Sequence, residues 1–123
     1  MERRTRQRDA IRRVFEEAGR PLGPTEVLDA GRAHVRGLGI ATVYRTIASL
    51  VEAEWLTPVE LPGEPARYEV AGQGHHHHFR CRTCARVFEI HGCTGTIDLH
   101  PPAGFTIERH EVVLYGLCSS CAA

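Results

Sequence analysis

Residues 41–70 run Ala41-Thr-Val-Tyr-Arg45-Thr-Ile-Ala-Ser-Leu50-Val-Glu-Ala53, then Glu54-Trp55, then Leu56-Thr-Pro-Val-Glu-Leu61, Pro62-Gly-Glu-Pro65 and Ala66-Arg-Tyr-Glu-Val70. The first segment places Val43, Ile47, Leu50 and Val51 on one arc of a helical wheel. Ala41, Arg45 and Ser49 fall near the opposite side, and Tyr44 flanks the apolar stripe. This predicts a helix over about 41–53. The segments 56–61 and 66–70 read as two strands joined by the Pro/Gly turn between them. Upstream, Ile11, Val14, Phe15 and Ala18 recur at i, i+3, i+4 and i+7, and Gly19-Arg-Pro21 ends that first helix. Pro24 suits the first turn of a second helix running to about Arg36, with Val27, Leu28, Gly31 and Val35 inward and Gly37 and Gly39 as breakers. Three helices followed by a hairpin is the order of a winged helix-turn-helix, here residues 1–70.

Residues 71–74, Ala-Gly-Gln-Gly, form a plausible hinge. Beyond them the pattern changes to strands, expected over 76–80, 86–90, 105–109 and 112–115, with one short helix within 93–100. The fold class is therefore α+β: an N-terminal winged helix-turn-helix followed by a small α/β domain over 75–123.

The formal charge of the 123 residues is zero, but it is divided unevenly. Residues 1–50 hold ten Arg and six acids, and residues 51–123 hold five Arg and nine acids, so the halves carry +4 and −4. A basic first half suggests a nucleic-acid face and an acidic second half suggests another task. No apolar run is long enough to cross a membrane, and Met1-Glu-Arg-Arg-Thr-Arg-Gln-Arg8 has no apolar core of a secretory signal. The expected location is cytoplasmic.

Four of the five cysteines form two C-x2-C pairs, Cys81/Cys84 and Cys118/Cys121. In a cytosolic chain this spacing favours metal over disulfides. Four thiolates at about 2.3 Å make a closed tetrahedral zinc site with no open position for a substrate, hence a staple and not a catalyst. The competing readings are free cysteines or a redox pair.

His75-His-His-His78 lies just before Cys81. On a strand, His75 and His77 point one way and His76 and His78 the other, so the run serves two places with two ligands each. Glu69 and Glu89 are acids that could complete one site, and His110 is a candidate for the other. Mixed imidazole and carboxylate donors suit zinc, iron(II) or manganese. The isolated His34, His91 and His100 read as ordinary polar residues.

Taken together, Thr5-Arg-Gln-Arg8, Ala41-Thr-Val-Tyr-Arg45, Arg67-Tyr-Glu69, the histidine run, both cysteine pairs, Val87-Phe-Glu89 and the stretch from His110 through Gly116-Leu-Cys118 resemble the ferric-uptake-regulator family almost end to end. The resemblance implies a homodimeric, metal-dependent regulator that binds double-stranded operator DNA, usually as a repressor of metal-uptake or stress genes, with 75–123 as its dimerisation domain. It makes 41–53 the recognition helix, with Thr42, Tyr44 and Arg45 facing DNA: Tyr44 contacts bases and Arg45 mainly phosphate. It implies structural Zn2+ on Cys81, Cys84, Cys118 and Cys121, and a regulatory divalent metal (Fe2+, Mn2+ or Zn2+) on Glu69, His76, His78 and Glu89. A second site would use His75, His77 and His110.

This chain departs from the family pattern in places. The histidine often found just before the second helix has no counterpart in Arg20-Pro-Leu-Gly23. The acid that some members add to the second site falls near Thr96. Cys93 is an extra thiol, either a further ligand or a small buried residue. Zinc-sensing members tend to carry Cys where this chain has Glu69, and peroxide-sensing members Asp where it has Glu89, so iron or manganese is favoured over zinc.

Two other classes compete. A small zinc-dependent hydrolase would use His, Glu and an open metal position, but no HExxH, no nucleophile motif and no substrate-sized domain support it. A metal-buffering or interaction protein would leave the helix over 41–53 and the basic half without a task. Neither a small-molecule substrate nor a membrane is expected as a partner.

Overall fold

A computed structural model describes residues 2–92 and 99–122. The chain forms two compact units, 1–73 and 74–123. In the first, α1 (Arg3–Ala18), α2 (Pro24–Gly31) and α3 (Ile40–Glu52) precede the strands β1 (Leu56–Val59) and β2 (Arg67–Val70). In the second, β3 (His76–Cys81), β4 (Val87–His91) and β5 (Val113–Gly116) precede a short α4 (Ser119–Ala122).

The apolar stripes of α1, α2 and α3 converge on one core of Ile11, Val14, Phe15, Leu22, Val27, Leu38, Val43, Ile47, Leu50 and Leu56. Trp55 closes this core from outside, with its ring edge-on to Phe15 at 6.5 Å and the Arg12 guanidinium 4.8 Å from its centroid. Gly19 ends α1 in the left-handed region at φ 60°, donating its N–H to the Phe15 carbonyl. That conformation suits a residue without a Cβ. At the start of α2 the Glu26 carboxylate accepts the Gly23 N–H at 3.2 Å and pairs with Arg20 at 2.8 Å.

The second helix stops at Gly31, earlier than the expected Arg36. The chain turns there because Leu38 must reach the core. A Cβ on Gly31 would lie 2.6 Å from Leu38 Cδ2, so only glycine admits the close approach. Arg32 Nε then bonds the Leu38 carbonyl at 3.2 Å across the turn.

The hairpin pairs β1 and β2 antiparallel, with Thr57 opposite Glu69 and Pro58 opposite Tyr68. Tyr68 exchanges both of its backbone bonds with Leu22 on the other side, each at 2.9 Å. Its N–H and C=O therefore face away from β1, and Pro58, which has no N–H to give, sits where none is needed.

In the second unit β3 is central, with β4 antiparallel on one edge and β5 parallel on the other. The strand expected over 105–109 does not form: 105–112 is irregular, with Phe105 and Ile107 exposed at 68% and 54%. Its apolar alternation is real, but no described strand pairs with it, and alternation without a hydrogen-bonding partner does not make a strand. The helix expected within 93–100 lies mostly outside the described residues, and 99–100 are not helical.

Candidate metal centres and nucleic-acid face

On α3 the residues that do not serve the core are presented outward. Tyr44 is 57% exposed, Arg45 is exposed and Thr42 half-buried. Arg45 donates to Thr42 Oγ1 at 3.2 Å, one helical turn back. Beside them runs an open cleft between α1 and α3, lined by Arg3, Arg4, Arg8, Arg45 and Ser49. Arg8 donates to Ser49 Oγ at 2.7 Å and so ties the two helices together. Several guanidiniums along one cleft make a seat for phosphate oxygens. The arginine-rich start of the chain was the available signal for Arg3, Arg4 and Arg8. Their meeting with α3 is a matter of tertiary packing.

The four paired cysteines are brought together, their sulfurs all within 4.8 Å of one another. Cys81 ends β3, Cys84 lies in the following turn, Cys118 follows β5 and Cys121 sits on α4. The turn closes because Ala85 takes a left-handed φ of 63° and returns its N–H to the Cys81 carbonyl. Tetrahedral zinc at about 2.3 Å from each sulfur sets sulfurs about 3.8 Å apart; Cys84 Sγ and Cys118 Sγ stand at 3.9 Å. The donor set and spacing fit zinc. The backbone N–H groups of Cys84 and Cys118 point at Cys81 Sγ, each at 3.5 Å. They draw its thiol down to about 6 against the opposing effect of burial. Cys121, hydrogen-bonded to Cys118 and then Cys81, is pushed up to about 12. Crowded thiols cannot all ionise without a cation among them.

The histidine run splits between two faces. His75, His77 and His110 form one cluster, with ring centroids 4.6 to 5.2 Å apart. His77 is buried, and its Nδ1 accepts the Val112 N–H at 3.1 Å. Burial, and then His75 and His110, hold its imidazole below the ordinary range, so it is neutral with its proton on Nε2. Neither nitrogen then offers a metal a lone pair unless the Val112 bond is given up.

On the other face His76 and His78 lie with ring centroids 5.0 Å apart, beside Glu89. His76 is held the opposite way: Nδ1 bonds the Gly74 carbonyl at 2.8 Å, and Nε2 lies 3.0 Å from Glu89 Oε2. An imidazole whose Nδ1–H is anchored on a carbonyl presents Nε2 as a ligand. A lone pair facing a carboxylate oxygen is favourable only with a cation between them, either a proton or a divalent metal. These donors fit a divalent ion. Glu69 is buried on β2, in the first unit. Cys93 and Thr96 lie outside the described residues.

A winged helix with an exposed arginine-bearing face on α3 is carried on one chain with a four-sulfur cluster and a histidine–carboxylate cluster, which together define a winged-helix class with metal-ligand clusters. The family described as the ferric uptake regulator family matches residues 2–115, and this chain belongs to it. The ferric uptake regulation protein of Campylobacter jejuni is 34% identical over 87 residues, covering 68% of this chain and 55% of that protein. The chain thus spans about half the length of that relative. The ferric uptake regulation protein of Bordetella parapertussis is 33% identical over 105 residues, covering 83% of this chain and 76% of its own. Among solved structures, the ferric uptake regulator of Francisella tularensis with iron superimposes with a TM-score of 0.67 at 25% identity, covering 95% of this chain and 92% of its own.

Proposed function

We propose that this chain is a cytoplasmic, non-enzymatic transcription regulator, a repressor that binds double-stranded operator DNA as a homodimer when a divalent metal is bound. The observation that carries the reading is the exposed Tyr44 and Arg45 on α3, with Thr42 half-buried beside them, joined in one chain to the His76–His78–Glu89 cluster. In this reading Arg45 and the cleft arginines hold phosphates while Tyr44 reads base edges. Zinc on Cys81, Cys84, Cys118 and Cys121 holds the end of the chain to β3. The regulatory metal, iron(II) or manganese(II) before zinc, is held by Glu69, His76, His78 and Glu89. It strengthens DNA binding to the extent that it binds the DNA-competent form more tightly. His75, His77 and His110 form a lesser site, because the Val112 bond commits His77. Homodimerisation through the second unit is supported by its exposed Phe105, Ile107, Leu114 and Tyr115, a large apolar surface for so small a unit.

The test is operator binding by anisotropy across a salt series, with metal and with a chelator that spares the cysteine zinc. Metal-dependent, salt-steep binding is expected. Arg45→Ala should reduce the slope of log affinity against log salt by about one unit. Tyr44→Ala should erode the preference for operator over scrambled DNA. Wild-type behaviour of both variants, or equal binding with and without metal, overturns the reading.

A further inference from the structure

We propose that His91 is a ligand of the same metal centre as His76, His78 and Glu89, and that it biases that centre toward iron(II) over manganese(II). The inference rests on the assignment of the regulatory site made above. On β3, His76 and His78 are two residues apart and share a face; on β4, Glu89 and His91 do the same. The antiparallel register sets His76 opposite His91 and His78 opposite Glu89. Four donor residues thus occupy the four corners of one cross-strand rectangle, where directly opposed Cβ atoms stand about 5 Å apart. The His76 and His91 rings lie 6.4 Å apart between centroids, 35° from parallel, and the His76 and His78 rings 5.0 Å apart. His91 is exposed and ends its strand before Gly92, which turns the chain at φ 97°. Its ring nitrogens lie outside the cluster of ligand atoms that includes His76, His78 and Glu89, so coordination needs its exposed side chain to rotate toward His76 Nε2 and Glu89 Oε2. It is not placed to act through His76 Nδ1, because Gly74 already holds that atom. A contribution of His91 to this centre is therefore through direct coordination.

Adding a third imidazole changes what the centre prefers. Manganese(II) binds nitrogen donors most weakly of the first-row divalent ions and favours oxygen, whereas iron(II) accepts imidazole readily. His91 adds nitrogen without adding charge, so it favours iron over manganese at constant carboxylate count.

The experiment uses the full chain, zinc-loaded and anaerobic, with His110→Ala throughout to disable the other histidine cluster. Co2+ is titrated as a spectroscopic probe, followed by competition between Fe2+ and Mn2+. His91→Ala should shift the cobalt d–d bands and weaken Co2+ binding by more than about tenfold, the lower end of what losing even an outer-sphere partner costs. The ratio of the Mn2+ to the Fe2+ Kd should fall in the same variant. Unchanged bands and affinity in His91→Ala, while His76→Ala with His78→Ala abolishes binding, overturn the inference alone. Undiminished Co2+ binding in the His76→Ala, His78→Ala protein overturns the underlying site.

Discussion

The two units are held together by different chemistry. The first buries ten apolar residues in one contiguous cluster drawn from three helices, the connections between them and the hairpin. Among the described residues of the second, the buried side chains are only His77, Cys81, Val87 and Cys118. A segment of 50 residues (74–123) cannot enclose much apolar area. Three of those four residues carry metal-ligand chemistry, so the second unit uses sulfur and imidazole where the first uses leucine and phenylalanine. Apolar contacts suffice to hold the first unit, whereas the second has few buried apolar side chains beyond its cysteine cluster.

The largest effect that could break this contrast comes from removing the sulfur cluster. Cys81→Ser should lose the zinc and unfold the second unit, leaving the first one folded, because structural metal in a small unit supplies its folding free energy. Zinc content and amide exchange measured together decide it. Normal zinc and native protection in 74–123 would show that the unit has another source of order.

The converse change is Phe15→Ala, which hollows the first core. It should cost about 3–5 kcal/mol in chemical denaturation of the first unit and leave zinc content as in wild type. A single transition in which zinc is lost together with the first unit would contradict the contrast.

Within the second unit, the two histidine faces should also differ. Replacing His76 and His78 by Ala should abolish regulatory-metal binding, whereas replacing His75 and His77 should weaken it far less, because His77 is tied to Val112 in the wrong tautomer. Calorimetric metal titration of the zinc-loaded variants reads this directly. Equal losses would mean that the Val112 bond yields to metal easily.

Acid should act on the second unit first. The folded His77 imidazole is depressed below 6.5, so the unfolded chain takes up a proton there before the folded one does. Stability is therefore intact above about pH 6.5 and falls as pH drops through that value. Metal-free Cys81, drawn down from 9.0 to about 6, contributes stability that is lost as pH falls from 9.0 toward 6, while Cys121, raised to about 12, opposes it as pH rises above 9.0. Conversely, zinc uptake at neutral pH should release protons, since Cys121 begins protonated; calorimetry in buffers of different ionisation enthalpy measures the number. A second unit that gains stability on acidification would refute the assignment.

The smallest effect concerns Ala85. Its left-handed φ of 63° costs a residue with a Cβ about 1–2 kcal/mol, and glycine recovers part of that. Ala85→Gly should raise the stability of the zinc-loaded second unit by up to about 1 kcal/mol, visible in thermal unfolding.

What could be read in the sequence was whatever repeats locally. The stripe of Ile11, Val14 and Phe15, the stop at Gly19, the two C-x2-C pairs and the alternation of His75 through His78 follow from helix and strand periods that need no distant partner. Tertiary structure decided whatever depends on a neighbour far along the chain. The second helix ends at Gly31 because Leu38 packs there, the apolar alternation over 105–109 has no described strand to pair with, and Arg8 finds Ser49 only when α1 crosses α3. His91 looked like an isolated polar residue until the β3–β4 register set it opposite His76. Register is fixed by the pairing of two strands, and a period read along one strand cannot specify which residue will face it from the other.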